Sequence, residues 1–340
     1  MRNKWLIFGL LSGLLLTGCS QSGEHDQAAV KNSGTGPAGK LVLYTSQPDS
    51  DIATLIKAYN QKNPEVKVEV FRSGTEEVIS KVQAEKQAGG TKADVLLVAD
   101  AVTFEGLKSQ GILTAYKSPE AEKIPAQFVD PDQMYTGTKV IATVIAVHNS
   151  VTSRPDSWKD LLNPAIKGQT VMPSPFYSGT AAYNLGVLTR LGDFGWDYYK
   201  ALKANAITVV KGNGGVANMV SSGEKKYGMI VDANAAQAKA KGAPIDLIYP
   251  KEGVTVITEP VGMLKNAQNP EAAKSFIDFI LSEEGQRVTR EIGYTPIRTG
   301  MPAPEGLKTY DQIKVLDYDV KSLFTAREAD KKTFSEIFQQ

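Results

Sequence analysis

Reactive side chains are scarce in this sequence. Its 340 residues include one cysteine and two histidines, so no disulfide can form within the chain and stability must come from a packed core. Nucleophilic and metal-assisted chemistry also lose most of their usual residues. No Gly-x-Ser-x-Gly elbow and no His-Glu-x-x-His helix occurs. Ser222-Gly223-Glu224-Lys225 has the Ser-x-x-Lys spacing of penicillin-binding enzymes, but the companion Lys-Thr-Gly is missing, and the segment reads as a helix end running into a turn. An enzyme is therefore not expected, and no cofactor or metal is implied. Net charge is lacking as well, at +1. Without Arg2 and Lys4 the 38 basic residues become 36 against 37 acidic ones. Such a balance leaves no basic footprint for nucleic acid. Beyond residue 16 no apolar run approaches the roughly 20 residues that cross a bilayer.

The N-terminus supplies what the rest lacks. Met1-Arg2-Asn3-Lys4 is positively charged, an apolar run extends from Trp5 to Leu16, and Leu16-Thr17-Gly18-Cys19 closes it. A charged start, a short apolar segment and a small-residue cleavage point describe a secretory signal. The Leu-Thr-Gly-Cys ending resembles a bacterial lipobox, in which the cysteine is diacylated and becomes the new N-terminus. Residues 1–18 are thus expected to be a signal peptide, and residues 19–39 a lipidated Cys19 with a flexible linker of Gly, Ser, Asn and Gln character. Gly34-Thr35-Gly36-Pro37-Ala38-Gly39-Lys40 matches most of a Walker A loop. Leu41 replaces its Ser/Thr, however, and the strand follows the motif instead of preceding it.

Periodicity organises the remainder. Leu41–Thr45, Val66–Val70 and Ala93–Val98 read as strands. Helical spacing from Asp51 to Asn60 and a helix opened by Ser73-Gly74-Thr75 separate them, which indicates βαβ units and a parallel sheet. A long β-branched run, Lys139–Val147, ends at His148-Asn149 and starts a second α/β series. It comprises strands at 169–172, 207–210 and 228–231, with helices from Thr180 and Val216. Residues 255–257 and 262–264 read as returning strands, and Pro270–Glu284 as the clearest terminal helix.

The order of these segments resembles the type II periplasmic-binding-protein family, the substrate-binding lipoproteins of bacterial ABC importers. The resemblance covers essentially Leu41 to Phe338 and rests on Leu43-Tyr44-Thr45-Ser46, Ala93-Asp94-Val95-Leu96-Leu97, Val147-His148-Asn149-Ser150, Asn269-Pro270-Glu271-Ala272-Ala273, Ser282-Glu283-Glu284-Gly285-Gln286 and Gly293-Tyr294-Thr295-Pro296-Ile297-Arg298. It implies an α/β fold of two lobes, each a mostly parallel sheet flanked by helices, joined by crossing hinge strands. One lobe would be 40–138 plus 262–340 and the other 139–261, with hinge closure around a ligand. It also implies an ABC permease with its ATPase as partner, attachment to the extracytoplasmic face of the membrane by the lipid anchor, and a monomer.

Open α/β sheets bind ligands beyond the carboxyl ends of their strands. Thr45-Ser46, Ser73-Gly74-Thr75 and Tyr177-Ser178-Gly179-Thr180 stand at such ends, and Asn213 at a fourth. Unpaired N–H groups and the dipole at a helix start favour an anion; equally, Ser and Thr there serve as plain caps. Two junctions from opposite lobes facing one cleft point to a clamped phosphate, phosphonate or carboxylate. The branch resembled contains ferric-ion, thiamine, 2-aminoethylphosphonate and sugar-phosphate binders. Ferric binders in it use adjacent tyrosines after the strand represented here by 228–231, where this chain has Asp232-Ala233-Asn234-Ala235-Ala236. Tyr198-Tyr199 lies instead on an amphipathic helix and is expected in the core. Asp232 is either a solvated strand-end carboxylate or the partner of a ligand ammonium, which would suit 2-aminoethylphosphonate. If Glu259, a hinge candidate, and Asp232 receive sugar hydroxyls, a sugar phosphate fits better. Phe176, Tyr177 and Tyr294 are candidate aromatic walls.

Overall fold

Residues 36–339 are described by the computed structural model; the expected signal peptide, Cys19 and most of the expected linker lie outside them. In chain order, β1 (Gly39–Thr45), α1 (Asp49–Lys62), β2 (Val66–Arg72), α2 (Thr75–Gln87), β3 (Val95–Leu97), α3 (Ala101–Ser109) and β4 (Leu113–Thr114) come first. β5 (Thr136–Gly137) leads into β6 (Lys139–His148), followed by β7 (Thr170–Pro173), α4 (Gly179–Leu188), α5 (Gly195–Ala204), β8 (Thr208–Val210), α6 (Asn213–Ser221), β9 (Tyr227–Val231) and α7 (Asp232–Ala240). The chain continues through β10 (Ile245–Ile248), β11 (Val254–Ile257), β12 (Pro260–Leu264), α8 (Pro270–Leu281), α9 (Glu283–Ile292), β13 (Thr295–Pro296), β14 (Val315–Leu316) and α10 (Val320–Phe338). Among the described residues no helix is long and apolar enough to cross a membrane.

The strands sort into two sheets. One runs β2-β1-β3-β12-β4, with β5 on β12; the other runs β14-β11-β6-β9-β7-β8, with β10 and β13 on β6. β1, β2 and β3 are parallel, as their apolar runs separated by helices predict, and β12 returns antiparallel beside β3. β6 is the spine of the second sheet. All its residues but His148 are buried, and each buried Val or Ile contributes about 1.5–3 kcal/mol of transfer free energy. Its continuous apolar run is the signature of a strand covered on both faces.

The chain crosses between the sheets three times, twice side by side and once more between β12 and β13, so that β13 and β14 join the second sheet. Gly137 pairs with Pro260 in the first sheet, and Ile141 with Ile257 in the second. Between these pairs the N–H groups of Thr138 and Lys139 both donate to the carbonyl of Thr258, at 2.8 and 3.2 Å. Residues 138–139 and 258–259 are therefore the side-by-side crossover, and Glu259 holds φ at +37° there, a region side-chain-bearing residues seldom occupy.

Two expectations are corrected. The terminal helix expected over 270–284 is two helices, because Ser282 takes an extended ψ of 162° and its hydroxyl accepts from Gly285 N–H to cap α9. β1 begins at Gly39, inside the stretch read as linker.

Candidate functional site

Helix starts from both sheets face one cavity. In the first sheet, β2 ends at Arg72 and α2 begins after Gly74, which as N-cap offers no side-chain bond to the first turn. Those N–H groups stay available, and that of Glu76 donates to the Tyr177 carbonyl across the cleft at 3.5 Å. Thr75 is buried, its hydroxyl 3.4 Å from the Ala99 N–H, which also donates to the Ser46 hydroxyl at 3.3 Å. In the second sheet, Ser178 caps α4 by accepting from Ala181 N–H at 3.3 Å. Its hydroxyl also meets that of Thr180 at 2.8 Å. Asn213, first residue of α6, donates through Nδ2 to Thr180 Oγ1 at 3.1 Å and Ser178 Oγ at 3.3 Å, while its Oδ1 accepts from Val231 N–H at 3.1 Å. The fixed Oδ1 acceptor turns the amide so that its NH2 donates to the two hydroxyls, making a preset cluster that leaves one hydroxyl hydrogen to donate outward.

The cavity has a volume of about 460 Å3. Ser46, Gly74, Thr75, Tyr177, Ser178, Gly179, Thr180 and Asn213 all line it, as expected from the strand-end rule. The lobes touch around it. A β-carbon on Gly179 would lie 2.9 Å from Thr75 Oγ1 and 2.9 Å from Ala99 Cβ. At the mouth, Lys211 Nζ reaches Glu77 Oε1 at 3.2 Å and sits 4.4 Å from the Tyr177 ring centre. The Ser73 hydroxyl and then the Lys211 ammonium hold the Glu77 carboxyl below its ordinary range.

Three expected site residues are placed elsewhere. Thr45 is fully buried; its hydroxyl donates to Leu97 O at 2.8 Å and accepts from Gln47 N–H at 3.1 Å, tying β1 to β3. Ser73 bonds Glu77 outside the cavity. Asp232 lies beneath the cavity floor, 1 % exposed. Its Oδ1 accepts from Ala142 and Ala233 N–H at 3.2 and 2.8 Å, and its Oδ2 from Tyr249 OH at 3.0 Å. Burial pushes this carboxyl up to about 6 against those bonds. With both oxygens engaged inside the protein, Asp232 offers no ammonium site. Phe176 is exposed at the surface against Phe334, and Tyr198 and Tyr199 are core residues.

The sequence reading missed Arg72, Lys211, Asp51, Asn234, Gln237 and Lys241, all of which line the cavity. Arg72 donates from Nε to Gln47 O at 2.8 Å and from Nη1 to Tyr177 OH at 3.3 Å, leaving further guanidinium donors over. Its place at the carboxyl end of a parallel strand was a usable signal; the α7 residues gave one only in their helical spacing. The floor is acidic. Tyr294 OH donates to Asp51 Oδ2 at 2.9 Å, and Glu259 pairs with buried Lys139 while accepting from Gln47 Nε2 at 2.9 Å. The Lys139 ammonium stands 4.3 Å from the Tyr294 ring centre. Among the described residues no group of three or more His, Cys, Asp or Glu side chains could hold a metal ion.

The family described as bacterial extracellular solute-binding protein matches residues 90–321. An uncharacterized protein of Haemophilus influenzae is 29% identical over 296 residues, covering 83% of this chain and 85% of its own. The periplasmic binding protein AfuA of Actinobacillus pleuropneumoniae, solved with exogenous fructose-6-phosphate bound, superposes with a TM-score of 0.81 at 27% identity, covering 88% of this chain and 99% of that one. Iron-bound HitA of Pseudomonas aeruginosa shares the fold, with a TM-score of 0.77 at 22% identity over 88% of this chain and 99% of its own.

Proposed function

This chain belongs to the bacterial extracellular solute-binding protein family, and on that premise we propose that its cleft captures a phosphate ester with a hydroxylated body, such as a sugar phosphate. The chain is an extracytoplasmic binding protein of ABC transport, not an enzyme, and its partners are a small ligand and a membrane permease. The observation that carries the ligand reading is the preset cluster of Ser178, Thr180 and Asn213 at two helix starts, with Arg72 from the other lobe lining the same cavity. Phosphate oxygens accept well from such a combination of hydroxyl, helix-start N–H and guanidinium donors.

At the other end of the cavity Asp51 is the one lining carboxylate without a counter-charge among the described residues, and Tyr294 OH already donates to it. Asp232 is engaged internally, and Glu259 already has Lys139 as its counter-charge. The floor carboxylates keep lone pairs for neutral O–H donors. With Asp232 withdrawn, the expected carboxylate for 2-aminoethylphosphonate is lost and only Asp51 could take its place, so a sugar phosphate has the better support; the fructose-6-phosphate bound to AfuA agrees with the choice.

Capture would proceed by binding to one lobe and closure of the other about residues 138–139 and 258–259, after which the closed monomer docks on the permease and its ATPase. Tethering through a diacylated Cys19 completes the proposal; the intact mass of protein extracted from membranes would carry that addition, and an unmodified cysteine would remove the anchor.

The ligand test is thermal unfolding against fructose 6-phosphate, glycerol 3-phosphate, 2-aminoethylphosphonate, inorganic phosphate, thiamine, ferric citrate and spermidine. A ligand at 100 times its dissociation constant stabilises by about 2.7 kcal/mol. Stabilisation by the phosphate esters is expected. Stabilisation by ferric citrate, thiamine or spermidine alone would overturn the reading.

A further inference from the structure

The C-terminal helix α10 lies against elements of both lobes. Its last turns are seated beside the second sheet's helices: Phe334 and Phe338 stack with centroids 4.3 Å apart, Phe334 meets Tyr199 of α5, and Asp330 accepts from Arg190 at 2.7 Å just beyond α4. The same helix extends two cations toward the first lobe. Arg327 donates to both oxygens of Asp100, at 3.0–3.1 Å, and to Glu76 Oε1 at 2.6 Å; Lys331 donates to Glu76 Oε2 at 2.6 Å. These are not surface pairs, since the Arg327 side chain is 12% exposed and that of Asp100 0%.

Their position gives them a consequence. Asp100 caps α3 with φ at +67° and directly follows Ala99, which lines the ligand cavity. Glu76 directly follows Thr75, another lining residue, and its N–H reaches Tyr177 across the cleft. One guanidinium on a helix whose last turns pack on the second lobe, and whose Phe324 packs on Gly106 of α3 in the first, thus holds the two first-lobe loops that complete the cavity.

We propose that Arg327 is a positioning residue for solute capture, a clasp whose grip on Glu76 and Asp100 sets how far the closed form outweighs the open one. The proposal rests on the cleft being the solute site, but not on the ligand being a phosphate. In an open form both carboxylates are hydrated. Closing without Arg327 would bury Asp100 with no cation and only the Thr103 N–H as donor, and would leave Glu76 to Lys331 alone, which is costly. Because the clasp touches no ligand, its loss scales every dissociation constant by one factor, the change in the closure-competent fraction.

The test compares the purified protein with Arg327→Met and Arg327→Lys. Small-angle X-ray scattering without added ligand reads the lobe separation, and calorimetric titration with fructose 6-phosphate, glycerol 3-phosphate and inorganic phosphate reads affinity. Arg327→Met is expected to enlarge the radius of gyration and to weaken all three ligands by the same factor, about tenfold or more. Arg327→Lys, keeping a point charge without the two-pronged geometry, should recover part of both effects. A lowered unfolding temperature with unchanged scattering and affinities would mean a merely structural role and overturn the clasp. If none of the three anions binds the unaltered protein, the phosphate reading fails by itself and scattering still decides the clasp. Should Arg327→Met not fold, Lys331→Met removes only the outer contact to Glu76. A smaller uniform loss is then expected, and no change would overturn the proposal.

Discussion

Gly74 and Tyr177 approach each other so closely across the cleft that a β-carbon on Gly74 would lie 2.6 Å from the Tyr177 ring and 2.6 Å from its carbonyl oxygen. Gly74 belongs to the start of α2 and Tyr177 to the turn before α4, so the contact exists only when the lobes meet.

Gly74→Ala therefore acts on closure. The φ of −65° at Gly74 suits alanine, and losing glycine from an N-cap costs about 1 kcal/mol or less. Affinity for a phosphate ester should fall further, by the roughly 1–3 kcal/mol that overpacking costs. Titration calorimetry beside thermal unfolding separates the two quantities, and equal losses in both would contradict the steric account.

Ser178→Ala with Thr180→Val removes two hydroxyls from the cluster held by Asn213. Bonds to a charged oxygen contribute about 1.5–3 kcal/mol each, so fructose 6-phosphate should bind at least tenfold more weakly. Thr180→Val alone is informative, because Thr180, unlike Ser178, caps nothing. Its affinity loss should come with little change in unfolding temperature.

Lys139→Met leaves the Glu259 carboxylate buried with Gln47 as its remaining donor partner. Breaking a buried pair from one side costs about 3–5 kcal/mol, which urea unfolding would read as a lower midpoint. The double variant Lys139→Met/Glu259→Gln removes both charges and should recover most of the loss. Failure to recover would show that the pair matters at the crossover by more than its charge.

Asp232 gives a pH dependence of defined sign. Burial raises its folded value from the ordinary 3.8 to about 6, so between those values the native state binds more protons than the unfolded chain. The stability it contributes is fully present below about pH 4 and is lost as pH rises through about 6, a change of roughly 3 kcal/mol. Asp232→Asn should flatten the difference between unfolding free energies at pH 4.5 and pH 7 by about 2 kcal/mol, the part of that change that falls between those two pH values. Because Asp232 does not line the cavity, the same variant should shift 2-aminoethylphosphonate and phosphate affinities equally; a selective loss of the amine would restore its ammonium role.

Much of the fold was legible because burial writes a period into the sequence. Leu41–Thr45 and Lys139–Val147 are apolar runs that only covered strands need, and both became strands with their faces hidden. Ser178-Gly179-Thr180 was readable for a related reason: a strand end, a small turn and a cap are local chemistry. The division of 270–292 into two helices was not, since a single ψ at Ser282 breaks a run of helix formers that is otherwise continuous.

What the sequence determined by itself, then, was the alternation of strands and helices, the likeness to a two-lobed binding family, and the donors at the helix starts, all of which depend on neighbours within a few positions. Tertiary structure alone decided which charges share the cavity. Arg72, Lys211 and Asp51 come from separate elements, and Asp232 is withdrawn because Ala142 and Tyr249 reach it from other strands and loops. Arg327 meets Asp100 across 227 positions of chain. Local periodicity carries no record of such distances; they are set by how the lobes pack, and electrostatic roles follow from that packing.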